Sequence, residues 1–146
     1  MDRRRRIESL QVLQRVKEHE LDTHAAQMGE IRAHQAQVQA ELDKLEERIA
    51  TEAHITSPES APFLAGFLKA IEARRVFLQK EMERLDEKAA LIEGQLFETY
   101  TEARSNEAVL DKNLFEQRRD AEMAETASLE EVARNRYLRQ MRGIEE

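Results

Sequence analysis

His19-Glu20-Leu21-Asp22-Thr23-His24 is the segment whose residue types most invite chemistry, because two imidazoles and two carboxylates within one short run are the ingredients of a zinc site. A zinc-binding helix needs its histidines four apart, so that both project toward one ion. Here they are five apart and would diverge. His19 then reads as a solvated side chain and His24 as a polar position on the helix's interacting face. His34 and His54 have no evident ligand companion. The chain has no cysteine, which removes the thiol nucleophile and the thiolate ligand, and Gly29, Gly66, Gly94 and Gly143 are isolated rather than gathered into a phosphate-cradling loop. No catalytic residue, metal or cofactor is expected, and the chain reads as a non-enzyme.

Composition points to the elements that carry these side chains. Among 146 residues, 36% are charged and 5% aromatic, with four glycines and two prolines. Helix formers dominate, and a compact domain of this length would need more large apolar residues than these to fill its core. Disorder is the other outcome of so polar a composition, but disordered chains lack a regular apolar repeat. The formal net charge of -7 disfavours a nucleic-acid binder, which would rely on Lys and Arg to neutralise phosphates. No apolar run is long enough to span a bilayer, and the Arg3 to Arg6 cluster is followed by Ile7-Glu8-Ser9 rather than by a signal-peptide core. Neither nucleic acid nor direct membrane insertion is expected, and the expected location is cytoplasmic.

One stretch reads as a break. Thr56-Ser57-Pro58-Glu59-Ser60-Ala61-Pro62 holds both prolines, and Ser57-Pro58-Glu59 offers a capping hydroxyl, a proline suited to a first helical turn and an acid for the positive end of the helix dipole. A second helix could begin as early as Ser57 to Ser60. The spacing predicts one hairpin domain over residues 1–146, all-α, with a first helix over about 3–53, a turn over about 54–62 and a second helix over about 63–142 ended by Gly143.

Alternating steps of four and three mark the interacting faces. In the second helix they run through Leu64, Leu68, Ile71, Leu78, Met82, Leu85, Ala89, Ile92, Leu96, Ala103 and Leu110, interrupted at Arg75, Thr99 and Asn106. In the first they run through Leu21, Met28, Ile31, Val38, Leu42, Leu45 and Ile49, with His24 and Gln35 as polar members. Two such stripes joined by a short turn bury each other by folding back antiparallel into a two-helix coiled coil. At the helical rise the arms would be about 75 Å and about 120 Å long, so the longer one must overhang. The expected overhang begins at Phe115 and carries Met123, Leu129, Val132, Tyr137, Leu138 and Met141, which leave the strict repeat. An unpaired amphipathic segment of this kind suits a partner helix or groove.

Apolar residues off the repeat are a second candidate surface. Phe63, Phe77 and Leu91 share one outward heptad position, Val76 and Phe97 the neighbouring one, and Phe67 flanks the seam. They either mark a contact surface or broaden the hairpin's own interface near the turn. Arg3 to Arg6 places four cations where a helix N-terminus prefers anions, so the cluster either frays or meets an acidic partner. Elsewhere acids and bases mix as a solvated face, as with Glu130 and Arg134 four apart.

The phrase Phe63-Leu64-Ala65-Gly66-Phe67-Leu68-Lys69-Ala70-Ile71-Glu72, the unequal arms and the position of the break resemble the flagellar type III export protein FliJ family and its injectisome counterparts. The run from Arg118-Arg119 to Arg136-Tyr137 also resembles that family's charged tail, with Glu130-Glu131 standing where an Asp-Glu is usual. The resemblance spans nearly the whole chain through loose motifs. It implies a rod similar to the coiled-coil central stalk of rotary ATPases, located at the inner membrane on the export apparatus. The implied partners are a hexameric export ATPase, the cytoplasmic domain of the membrane export gate, and export chaperones held transiently. Carried onto this chain, the gate contact falls on Phe63, Phe67, Ile71 and Phe77, and the ATPase end on Arg3, Arg4, Arg5, Arg6, Arg134, Arg136 and Arg139. The alternative is a structural spacer or scaffold with no ATPase partner. An RNA-binding arm is disfavoured by the acidic balance.

Overall fold

A computed structural model describes residues 2–52 and 61–145. Two long helices, α1 (Arg3–Glu52) and α2 (Ala61–Glu145), pack against each other as an all-α hairpin. The expected turn, with its Ser57-Pro58-Glu59 start signal, and His54 lie outside the described residues. Pro62 is already helical at the second position of α2, where its missing N–H removes no bond the helix would have made. At the other end α2 runs through Gly143 to Glu145, so Gly143 does not terminate it. No described glycine has a positive φ, and a glycine within a continuing helix needs none.

Asp2 starts α1. Its Oδ1 accepts from the Arg4 backbone N–H at 3.4 Å, which sets a carboxylate at the helix start beside the arginine cluster.

Contacts divide the chain into two compact units. Unit 1 is Met1–Glu18 with Thr101–Glu146, and unit 2 is His19–Tyr100. Each holds a piece of both helices.

Unit 2 is packed on apolar side chains. Ile31 of α1 and Ile71, Leu78 and Leu85 of α2 are buried, Leu85 most deeply at 2% exposure. Met28, Val38, Leu42, Leu45 and Ile49 of α1 and Met82, Ala89, Ile92 and Leu96 of α2 are half-buried beside them. This is the four-three alternation acting as expected except at Leu68, which is exposed while the neighbouring Phe67 is half-buried: a two-helix interface covers one stripe and leaves the other faces in water. Polar cross-links set the register. Gln35 Nε2 donates to Asp86 Oδ1 at 2.8 Å, Arg74 pairs with Glu41 at 2.9 Å, and Arg75 reaches Glu46 at 3.9 Å while also meeting Glu72 of its own helix at 3.4 Å. Residues later in α1 meet residues earlier in α2, so the pairing is antiparallel. Arg75, an interruption in the apolar repeat, occupies its seam position by extending its charge to the rim.

In unit 1 the alternation continues through less obvious residues. Ile7 is buried and Leu10, Gln14 and Lys17 are half-buried on α1, opposite buried Ala103, Asn106, Leu110 and Asn113 on α2. Asn106 Nδ2 donates across the interface to the Leu10 carbonyl at 3.0 Å and to Gln14 Oε1 at 2.8 Å. Asn113 Nδ2 instead donates to the Val109 carbonyl of its own helix at 2.8 Å. Lys17 bonds Glu102 at 2.6 Å. Among the described residues no buried side-chain nitrogen or oxygen lacks a partner, so the polar seam is fully satisfied.

Candidate interaction surfaces

Arg3 is the cluster member that α2 takes up. It pairs with Asp120 and lies 3.7 Å from Glu116, and the hydrogen bond that its guanidinium donates to the Asp120 carboxylate raises its pKa above the ordinary arginine value. Arg4 meets Glu8 at 3.4 Å, one turn along α1. The acidic partner that four cations called for is thus partly supplied within the chain. Because Asp120 is engaged and Leu114 and Glu116 are half-buried, the overhang does not begin at Phe115 but after Asp120. From Ala121 through Gly143 every side chain is exposed, including Met123, Leu129, Val132, Tyr137, Leu138 and Met141.

Arg134, Arg136 and Arg139 lie in that exposed segment. Arg134 is fourteen residues beyond Asp120, about 21 Å along the helix, so the structure does not bring the two arginine groups into one patch.

The residues assigned to the gate contact separate by depth. Phe63 is 81% exposed, and Phe77 is exposed with the Arg74 guanidinium 5.2 Å from its ring centre. Phe67 is half-buried under Arg48 of α1, 5.0 Å from its ring centre, and so contributes to the hairpin's own interface. Ile71 is corrected outright as a contact residue: at 4% exposure it belongs to the seam, because its heptad position points at α1. Val76, Leu91 and Phe97 remain exposed with Phe63 and Phe77. Phe67 therefore widens the hairpin's own interface, and the others face water.

The histidines do not converge. His24 Nδ1 lies 3.5 Å from Gln27 Oε1, while the His19 carbonyl accepts from Thr23. His34 edges a shallow groove of about 450 Å³ with Glu30, Ile31, Arg84, Leu85 and Lys88. Among the described residues no group of three or more His, Cys, Asp or Glu could hold a metal ion. Nor, among the described residues, is any helix long and apolar enough to cross a membrane.

No family model, curated protein or solved structure matches this chain.

Two surface features escape a reading of the repeat alone. Val12, Leu13 and Val16 are exposed on α1, and Val109 and Phe115 on α2. Their signal in the sequence is the presence of apolar residues one step off the seam, which becomes visible only once Gln14 and Lys17 are recognised as seam members.

Proposed function

We propose that this chain is a non-catalytic stalk and coupling component of a type III protein export apparatus, of the FliJ kind. The observation that carries the reading is the segment after Asp120, a continuous helix whose apolar side chains are left exposed by the described residues. A helix that keeps Met123, Leu129, Tyr137 and Met141 in water is costly unless something covers them.

In this reading the hexameric export ATPase receives the start of α1 and the tail, through Arg4, Arg5 and Arg6 and through Arg134, Arg136 and Arg139. Arg3 serves instead to tie α1 to α2. The cytoplasmic domain of the export gate takes the outward phenylalanines, Phe63 and Phe77 foremost, with Phe67 as their inner neighbour. Export chaperones are transient partners, and the protein acts on the cytoplasmic side of the inner membrane. The work is mechanical. Two paired helices transmit asymmetry from one ring of subunits to another through side-chain contact, without bond making.

The test is ATP hydrolysis by a purified export ATPase with and without the full chain. Binding with a change in hydrolysis rate is the expected result, and a truncation after Asp120 should abolish it. No binding and no rate change would leave the chain a structural spacer.

A further inference from the structure

Within the exposed tail, Met123, Ala127, Glu130, Arg134, Tyr137 and Met141 are spaced by four, three, four, three and four residues, a coiled-coil seam of its own. It is not a continuation of the hairpin seam. Carried forward by sevens, Asn106 and Asn113 lead to Asp120, Ala127, Arg134 and Met141, but Leu110 leads to Gln117, Ala124, Glu131 and Leu138. The tail keeps the first series and replaces the second by Met123, Glu130 and Tyr137, so its apolar stripe turns away from the direction that served α1.

This stripe is complementary to itself when reversed. Placed antiparallel about a two-fold axis at the level of Val132, Met123 faces Met141 of a second copy, Ala127 faces Tyr137, and Glu130 faces Arg134, each layer occurring twice. The small alanine leaves room for the tyrosine ring, and the central layer is an ion pair. Charges along the whole tail follow the same division. Between Ala121 and Gly143 the carboxylates Glu122, Glu125, Glu130 and Glu131 all precede Val132, and the guanidiniums Arg134, Arg136, Arg139 and Arg142 all follow it. An antiparallel pair sets each acidic half against a basic half, whereas a parallel pair sets like against like.

We propose that the tails of two copies of this chain pair antiparallel through that seam, with Glu130 and Arg134 fixing the register. The occupant is a second copy because the match in apolar size, in charge and in spacing is of the segment to its own reverse. Met123, Tyr137 and Met141 are all exposed in the single chain and become covered in the pair. Glu131 approaches its own counterpart, a like-charge contact that limits the affinity and keeps the association reversible. The pairing covers the same face that the stalk reading offers to an ATPase, so self-association and partner binding would compete. It does not depend on that reading.

The test is sedimentation equilibrium of the full chain alone over a wide concentration range. The wild type is expected to show a reversible monomer–dimer equilibrium. Glu130→Arg and Arg134→Glu should each weaken it by more than about tenfold, since each creates two like-charge layers. An equimolar mixture of the two variants should recover dimer, because both central layers are then opposite in charge. Circular dichroism of each variant checks that the hairpin is intact. A wild type that stays monomeric throughout would overturn the proposal. So would a dimer that neither variant weakens, as expected if copies exchanged hairpin arms, or a mixture that fails to recover association. Because no ATPase is present, these outcomes stand apart from success or failure of the stalk reading.

Discussion

The same heptad series of α2 is filled differently in the two compact units. Where the two helices pair, it reads Leu64, Ile71, Leu78, Leu85, Ile92 and Thr99 in unit 2 and Asn106 and Asn113 in unit 1. All are buried but Leu64 and Ile92, which are half-buried, so burial at this position follows the pairing and not residue type. What changes is how the position contributes. In unit 2 it excludes water by packing, which is tolerant of small shifts along the helix axis. In unit 1 the Asn106 amide must find the Leu10 carbonyl and Gln14, which only one register provides. A polar seam residue of this kind lowers stability relative to an apolar one and raises specificity.

The largest test of that contrast is Leu85→Ala. Truncating the most deeply buried side chain of unit 2 leaves a cavity and should cost about 2 to 5 kcal/mol, read by chemical denaturation. A loss below about 1 kcal/mol would mean that unit 2 is not held chiefly by packing. In unit 1, Asn106→Ala removes two hydrogen bonds across the interface and should cost about 1 to 2 kcal/mol. Asn106→Leu should instead raise stability modestly while loosening register, which spin labels placed on the two helices of unit 1 would report as a broadened distance distribution. If Asn106→Leu left that distribution as narrow as in the wild type, hydrogen bonding would not be what sets register there.

A smaller effect concerns a position that neither kind of seam uses. A methyl group added at Gly94 meets nothing within 4 Å beyond its chain neighbours and the backbone of its own helical turn, so Gly94→Ala should gain about 0.5 to 1 kcal/mol from helix propensity alone, seen as a higher melting temperature. The smallest is electrostatic. The hydrogen bond from Arg84 holds the Glu81 carboxyl below its ordinary range. A carboxyl depressed in the folded state contributes stability above its unfolded pKa and loses it as pH falls through the folded value. The small difference in melting temperature between wild type and Glu81→Gln should therefore be present at neutral pH and vanish in acid below the ordinary carboxylate range. A difference that persisted there would place Glu81's contribution in packing.

Much of the fold was legible because a helix repeats every 3.6 residues and writes its buried face into the sequence at that period. Leu64 to Leu110 and Leu21 to Ile49 could be aligned by spacing, and the two prolines marked the one stretch that could not continue a helix. The start of the seam in α1 was not legible, because Gln14 and Lys17 occupy it and a search for apolar residues passes over them. The Asp2 cap was hidden by the four arginines that follow it. The candidate surfaces were legible as composition but not as depth: Phe63 and Phe67 look alike in sequence, and only the placement of Arg48 separates an exposed ring from a half-covered one.

The sequence by itself determined that this chain forms two helices of unequal length with complementary stripes, since local propensity and periodicity depend only on neighbours within a few turns. Tertiary structure decided which residues those stripes recruit beyond their apolar members, that Arg3 finds Asp120, that Phe67 is half-covered while Phe63 is not, and that the tail is free only after that ion pair. These depend on which side chains far apart in the chain come within reach of each other, and a hydrogen bond or ion pair leaves no period in the sequence by which it can be read.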